Sequence, residues 1–361
     1  MTDDERLIVE PRRNSELIGQ DAAEATVLRA WTSGRMHHAW LISGPRGVGK
    51  ATLAYRIARM VLAGAGGEDL FGGVAPTLQI GPDSPIFRQV ASGGHPDLLT
   101  IERGFDEKRE RRRTEILVED VRQIGEFLHL KAARGGWRVV IVDSADEMNR
   151  NAANALLKIL EEPPRHALIL MVSHSPSRLL ATIRSRCRRL TLNQLPESLV
   201  LELLARHQPN LPQADQVLLA RLAHGSIGLA VEFEAAGGIE LCREIGEQLA
   251  AMPRTDATGI LALADRVAQG GGDGPFRLAT ELLLENITRS VRAGAVGPPV
   301  EGSVAGGAGD LGRLIGPANL DQWLELWEKI SRLFARTEAV NLDRKQVWIG
   351  AMLEIGGLAR R

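Results

Sequence analysis

Short apolar runs alternate with stretches of helical period through the first half of the chain. The runs lie at His38–Ser43, Asp97–Ile101, Arg138–Asp143, Ala167–Ser173 and Arg188–Leu192. Strands separated by helices in this way predict a parallel sheet covered by helices. Within Ala51–Leu62, the residues Leu53, Ile57, Ala58 and Val61 make one apolar stripe and predict a helix. A second helix is predicted over Ala152–Glu162, stopped by Pro163-Pro164, which cannot continue the hydrogen-bond ladder. The Gly- and Pro-rich, weakly periodic segment Ala63–Ser92 reads as an insertion over the sheet.

After Leu192 the strand pattern ends. Gln194–Ala235 reads as short helices broken at Pro196, Pro209, Pro212 and Gly225, and from Ile239 the pattern is helical again. Ala293–Gly309 is a low-complexity break that reads as a flexible loop. In Leu320–Phe334, the residues Leu320, Trp323, Leu324, Trp327 and Ile330 recur at helical spacing, which predicts core packing for these tryptophans. The expected organisation is an α/β domain over residues 1–192, a small helical domain over 193–238 and a helical C-terminal domain over 239–361.

Composition narrows the class. With 361 residues the chain exceeds one ordinary core, and 44% hydrophobic with 25% charged residues is a globular profile. A formal charge of −1 gives no global field toward nucleic acid. The two cysteines, Cys187 and Cys242, make no disulfide framework and fit a reducing cytoplasm. The acidic start lacks the basic and apolar regions of a signal peptide, and no apolar run is long enough to span a bilayer, so a cytoplasmic protein with no membrane partner is expected.

The strongest chemical signal is Gly44-Pro45-Arg46-Gly47-Val48-Gly49-Lys50-Ala51-Thr52, between a predicted strand and a predicted helix. Glycines let backbone N–H groups wrap a polyphosphate, the helix N-terminus favours the anion, and the lysine reaches the terminal phosphates. One position departs from the full pattern. Ala51 stands where a Ser or Thr hydroxyl would bind Mg²⁺, and Thr52 is about 100° further round the helix. ATP binding fits this loop; a well-held Mg²⁺ does not. The run Arg138–Asp143 looks like a Walker B strand with Asp143 facing the metal, followed by Ser144 where AAA+ enzymes usually carry a water-positioning glutamate.

Asn151-Ala-Ala-Asn-Ala-Leu-Leu-Lys-Ile-Leu-Glu-Glu-Pro-Pro164 and Ser185-Arg186-Cys187 resemble the clamp-loader branch of the AAA+ proteins. His37-His38-Ala39-Trp40-Leu41 and Asn341-Leu-Asp-Arg-Lys345 are similar to the delta-prime subunits of the bacterial DNA polymerase III clamp loader. The resemblance implies a RecA-like domain, a helical lid and a C-terminal collar within a pentameric ring. Its implied partners are an ATPase subunit and a delta-like subunit, with the sliding clamp and primed DNA met through the complex. It implies that Arg186 serves as an arginine finger on ATP held by a neighbouring subunit. The chain would belong to the polymerase III holoenzyme with its own ATPase activity absent or very weak.

Other departures point the same way. Gly225-Ser226-Ile227-Gly228 has glycine where the lid's sensor arginine is expected, and the insertion carries none of the four cysteines of the family's zinc module, so no zinc is expected. His95 is expected to make a loop hydrogen bond and Cys187 to be a buried packing residue. Lys108–Arg113, diluted by acidic neighbours and without aromatics, is expected to be a solvated hairpin or loop. Arg184, Arg188 and Arg189 read as a solvated edge. Ser173 and His174 lie where the family keeps a polar sensor, and the sequence does not separate them. Two rival functions are an ATP-hydrolysing clamp-loader subunit and a nucleotide-gated AAA+ interaction protein outside replication.

Overall fold

A computed structural model of the chain describes residues 10–64, 77–106, 111–133, 136–254, 256–268, 274–296, 319–340 and 342–360, with Leu311 and Ile315. By its contacts the chain divides into two compact units, residues 1–200 with 224–229, and residues 201–223 with 230–361.

The first unit is built on five parallel strands: β1 (Ala39–Ser43), β2 (Leu98–Ile101), β5 (Arg138–Asp143), β6 (Ala167–Ser173) and β7 (Arg188–Thr191), in the order β2-β5-β6-β1-β7. All five predicted strands are present to within a residue at either end. Residues alternate between the faces, so one sheet serves two cores. Trp40, Ile42, Val139, Ile141, Leu168 and Leu170 pack with the helix Lys50–Gly64. Ala39, Leu41, Val140, Val142, Ile169 and Met171 pack with Val118–His129, Arg150–Glu161 and Ala181–Ser185. Strand β6 lies between the strand before the phosphate loop and the strand ending in Asp143, which is the RecA-like arrangement expected.

Within the segment read as an insertion, Pro85–Ala91 is a helix, and Leu78, Phe87 and Val90 are buried, while 65–76 lie outside the described residues. Short strands β3 (Phe105–Asp106) and β4 (Arg111–Arg112) pair antiparallel, so the described part of the basic run, Arg111 and Arg112, lies on a paired strand as a hairpin requires, with 107–110 outside the described residues. Helix Gly274–Val296 runs into the start of the expected loop at Ala293, and the rest of that loop, 297–309, lies outside the described residues.

In the second unit, described helices include Gly238–Ala250, Ala257–Ala268, Gly274–Val296, Leu320–Val340 and Arg344–Leu358. Trp323 and Trp348 are buried, Phe334 stacks on Trp348 at 6.5 Å, and Phe276 meets Phe334 edge-on at 6.0 Å. Leu324 is 46% exposed and so leaves the expected stripe. Within the Asn341–Lys345 stretch, Asp343 caps the last helix by accepting from Gln346 N at 3.0 Å, and Lys345 pairs with Asp265 at 2.5 Å. Asn341 lies outside the described residues.

Candidate nucleotide site and the arginine at the opposite edge

Parallel register brings the candidate residues to one edge of the sheet. Ser43 pairs with Ser173, and Asp143 with Val172, so the loop after β1, Asp143 and the Ser173-His174 pair emerge together at the C-terminal ends of the strands. That is where open α/β sheets bind ligands. The phosphate loop Gly44–Gly49 leads into Lys50–Gly64 as expected. Gly47 has φ +73°, and a Cβ there would lie 2.3 Å from Ser226 Oγ. A Cβ on Gly44 would lie 2.4 Å from the carbonyl of Leu192. Pro45 and Arg46 are exposed, whereas Val48 and Thr52 are buried and Ala51 is half-buried.

Lys50 is 3% exposed and donates from Nζ to the carbonyls of Gly44, at 2.8 Å, and Pro45, at 2.5 Å. Burial pushes its pKa down to about 8, opposed by Asp143 and Asp146. Burial also raises the Asp143 carboxyl, opposed by the Ser144 hydroxyl and by Lys50. Ser144 Oγ donates to Asp143 Oδ1 at 3.1 Å and lies 3.0 Å from His174 Nε2. The His174 N–H donates to Asp146 Oδ1 at 3.0 Å. Of the two residues expected in the sensor region, Ser173 is fully buried, and the His174 side chain reaches Ser144 at the acidic strand end. Of the two positions that would hold Mg²⁺, Asp143 keeps a carboxylate and Ala51 offers no oxygen, a donor set that does not fit a tightly held Mg²⁺. Among the described residues no cluster of His, Cys, Asp or Glu could hold a metal.

The Gly225–Gly228 segment belongs to the first unit. Ser226 caps the helix Ile227–Ala235 by accepting from Leu229 N at 3.1 Å. The Gly228 N–H donates to the carbonyl of Gly47 at 3.0 Å. A Cβ on Gly228 would lie 2.8 Å from Gly47 Cα. Gly228, the position at which a sensor arginine is expected, therefore lies where two backbones touch.

Sequence reasoning passed over two buried arginines on the phosphate-loop helix. Arg56 pairs with Glu24 at 2.9 Å and donates to Ser15 O. Fully buried Arg59 donates to Asn14 O at 2.5 Å and lies 4.5 Å over the Phe87 ring, its pKa pushed down to about 10 by burial. They fasten the preceding segment and the helix Pro85–Ala91 to the phosphate-loop helix. An arginine inside an apolar stripe, at positions 56 and 59, was the signal available.

Arg186 is elsewhere. It ends the helix Ala181–Ser185 and precedes β7, whose first residue, Arg188, pairs with Trp40 near the start of β1. Arg186 thus sits at the N-terminal edge of the sheet. The phosphate loop leaves the other end of β1, a five-residue strand that rises about 16 Å. Cys187 is half-buried rather than buried; its thiol donates to Ile183 O at 3.0 Å and is pushed up to about 12 by burial. Arg188 and Arg189 are exposed, as expected of a solvated edge, with Arg188 lying 4.9 Å over Trp40, whereas Arg184 is half-buried. His95 is buried and accepts from Asp97 N through Nδ1 at 3.1 Å.

A family model described as DNA polymerase III, delta subunit, matches residues 19–196. The chain is 38% identical to the DNA polymerase III subunit delta' of Pseudomonas aeruginosa over 195 residues, 52% of this chain and 53% of that protein. It is 29% identical to the DNA polymerase III subunit tau of Escherichia coli over 284 residues, 77% of this chain and 41% of that protein. The chain thus spans about half or less of the length of these curated relatives. A solved DNA polymerase III gamma subunit-related protein from Thermotoga maritima superposes with a TM-score of 0.40 at 19% identity, covering 92% of this chain and 100% of that one. No described helix is long and apolar enough to cross a membrane.

Proposed function

We propose that this chain, a member of the clamp-loader family of AAA+ proteins, is a delta-prime-like subunit that supplies Arg186 in trans and does not hydrolyse ATP itself. The observation that carries this reading is the separation of its two charged centres. Arg186 lies at the N-terminal edge of the sheet and the chain's own phosphate loop at the C-terminal edge. An arginine so placed has no access to its own nucleotide site, but a neighbouring subunit's phosphates can approach it. A planar cation there offsets charge spreading over the transferring phosphoryl oxygens.

The phosphate loop supports the second half of the reading. Its glycine cradle and Lys50 suit a polyphosphate, yet Ala51, Ser144 and Gly228 replace a metal ligand, a water-orienting carboxylate and a cationic sensor. Parts that act as a unit are not lost additively, so three absences leave little hydrolysis. In this reading residues 1–192 form the AAA+ domain, 193–238 the lid and 239–361 the collar of a cytoplasmic ring that places the sliding clamp on primed DNA. The rival is that the chain is itself the hydrolysing subunit, which the tau relatives keep in view. Co-purification with a tagged chain from its own cells tests the class. Recovery of polymerase III subunits and the clamp is expected, and their absence removes the clamp-loader reading.

A further inference from the structure

The guanidinium of Arg186 is already oriented. Its Nη2 lies 2.8 Å from Glu161 Oε1, and its Nη1 donates to the Thr182 carbonyl at 3.0 Å. Both partners stand on fixed ends. Glu161 is the last residue of Arg150–Glu161, next to buried Leu160, and Thr182 lies in Ala181–Ser185, next to buried Ile183. Leu160 and Ile183 share one hydrophobic cluster, and the two helices pack on each other.

An ion pair this open, with 36% of the Arg186 and 49% of the Glu161 side chain accessible, contributes little to stability. Its consequence is geometric. An unrestrained arginine loses rotamer freedom when it is ordered at an interface, whereas contacts on both terminal nitrogens set the plane of the fork beforehand. We infer that Glu161 is a positioning residue for Arg186, holding the guanidinium in the orientation in which it meets the phosphates of a neighbour's nucleotide. This rests on the finger reading above. Masking of the cation by the same carboxylate would have the opposite sign, so experiment separates the two.

The test is steady-state ATP turnover of the assembled loader carrying the wild-type chain, Glu161→Ala, Glu161→Gln, Arg186→Ala or the Glu161→Ala, Arg186→Ala double variant, with assembly verified by size-exclusion chromatography. Glu161→Ala is expected to lower kcat roughly two- to fivefold with KM unchanged. Glu161→Gln should recover part of that loss, because its amide oxygen still accepts the hydrogen bond. In the Arg186→Ala background Glu161→Ala should have no further effect. Turnover at or above wild type in Glu161→Ala, or an equal loss in the Arg186→Ala background, overturns the inference while leaving the finger intact. A silent Arg186→Ala overturns the finger reading and this inference with it.

Discussion

The Gly228 N–H donates to the carbonyl of Gly47 at 3.0 Å, joining the segment where a sensor arginine is expected to the middle of the phosphate loop. The approach depends on glycine, since a Cβ on Gly228 would lie 2.9 Å from the Gly47 carbonyl oxygen. Rebuilding the sensor as Gly228→Arg should therefore cost about 1–3 kcal/mol of stability and restore no hydrolysis. Gly47→Ala should cost a similar amount, because its φ of +73° is strained for alanine and Ser226 Oγ occupies the space. Urea denaturation measures both. Wild-type stability in Gly228→Arg would show that the two backbones are not held together.

The pKa of Lys50 gives a signed pH dependence. In the unfolded chain a lysine titrates near 10.4, and in the fold Lys50 titrates at about 8. Below the folded value both states carry the proton and the burial penalty is fully present. As pH rises from that value to the unfolded one, the unfolded chain binds more protons, so stability increases. Lys50→Met removes this contribution. The stability difference, wild type minus Lys50→Met, should therefore grow with pH across the window, and a flat difference would mean that Lys50 titrates normally.

Metal content gives a third prediction. The insertion lacks cysteine, and no described cluster offers a zinc-ligand set. Elemental analysis of purified protein should find zinc far below stoichiometric. About one zinc per chain would mean that ligands other than thiolates assemble.

The sheet and the phosphate loop were legible because their signals are local. Continuous apolar runs such as Val139–Val142 fit strands covered on both faces, and glycine spacing marks the loop. What connects distant positions was not legible. No pattern in Gly225–Gly228 announces contact with Gly47, and nothing in the Glu161-Glu162 pair indicates which carboxylate meets Arg186. Arg56 and Arg59 were passed over because burial of a charge depends on partners 32 and 45 residues away, Glu24 and Asn14. The edge on which Arg186 lies follows only from the register of β7 on β1.

The isolated chain should show no ATP turnover that depends on Lys50. Phosphate release by the wild-type chain should match that of Lys50→Ala, because Ala51 supplies no metal ligand and Ser144 no carboxylate. Turnover that disappears in Lys50→Ala would establish the hydrolysing-subunit reading instead.

The central claim, that this chain acts through Arg186 on a neighbour's nucleotide, is tested most directly by ATP turnover of a reconstituted loader in which only this chain carries Arg186→Ala. Removing an arginine finger lowers turnover by about 10³-fold or more at the site it serves, so turnover that depends on this site should fall by at least about that factor while the complex stays assembled. Lysine at the same position should recover only part of the loss, because a point charge lacks the guanidinium fork. Unchanged turnover in a fully assembled Arg186→Ala loader would contradict the account.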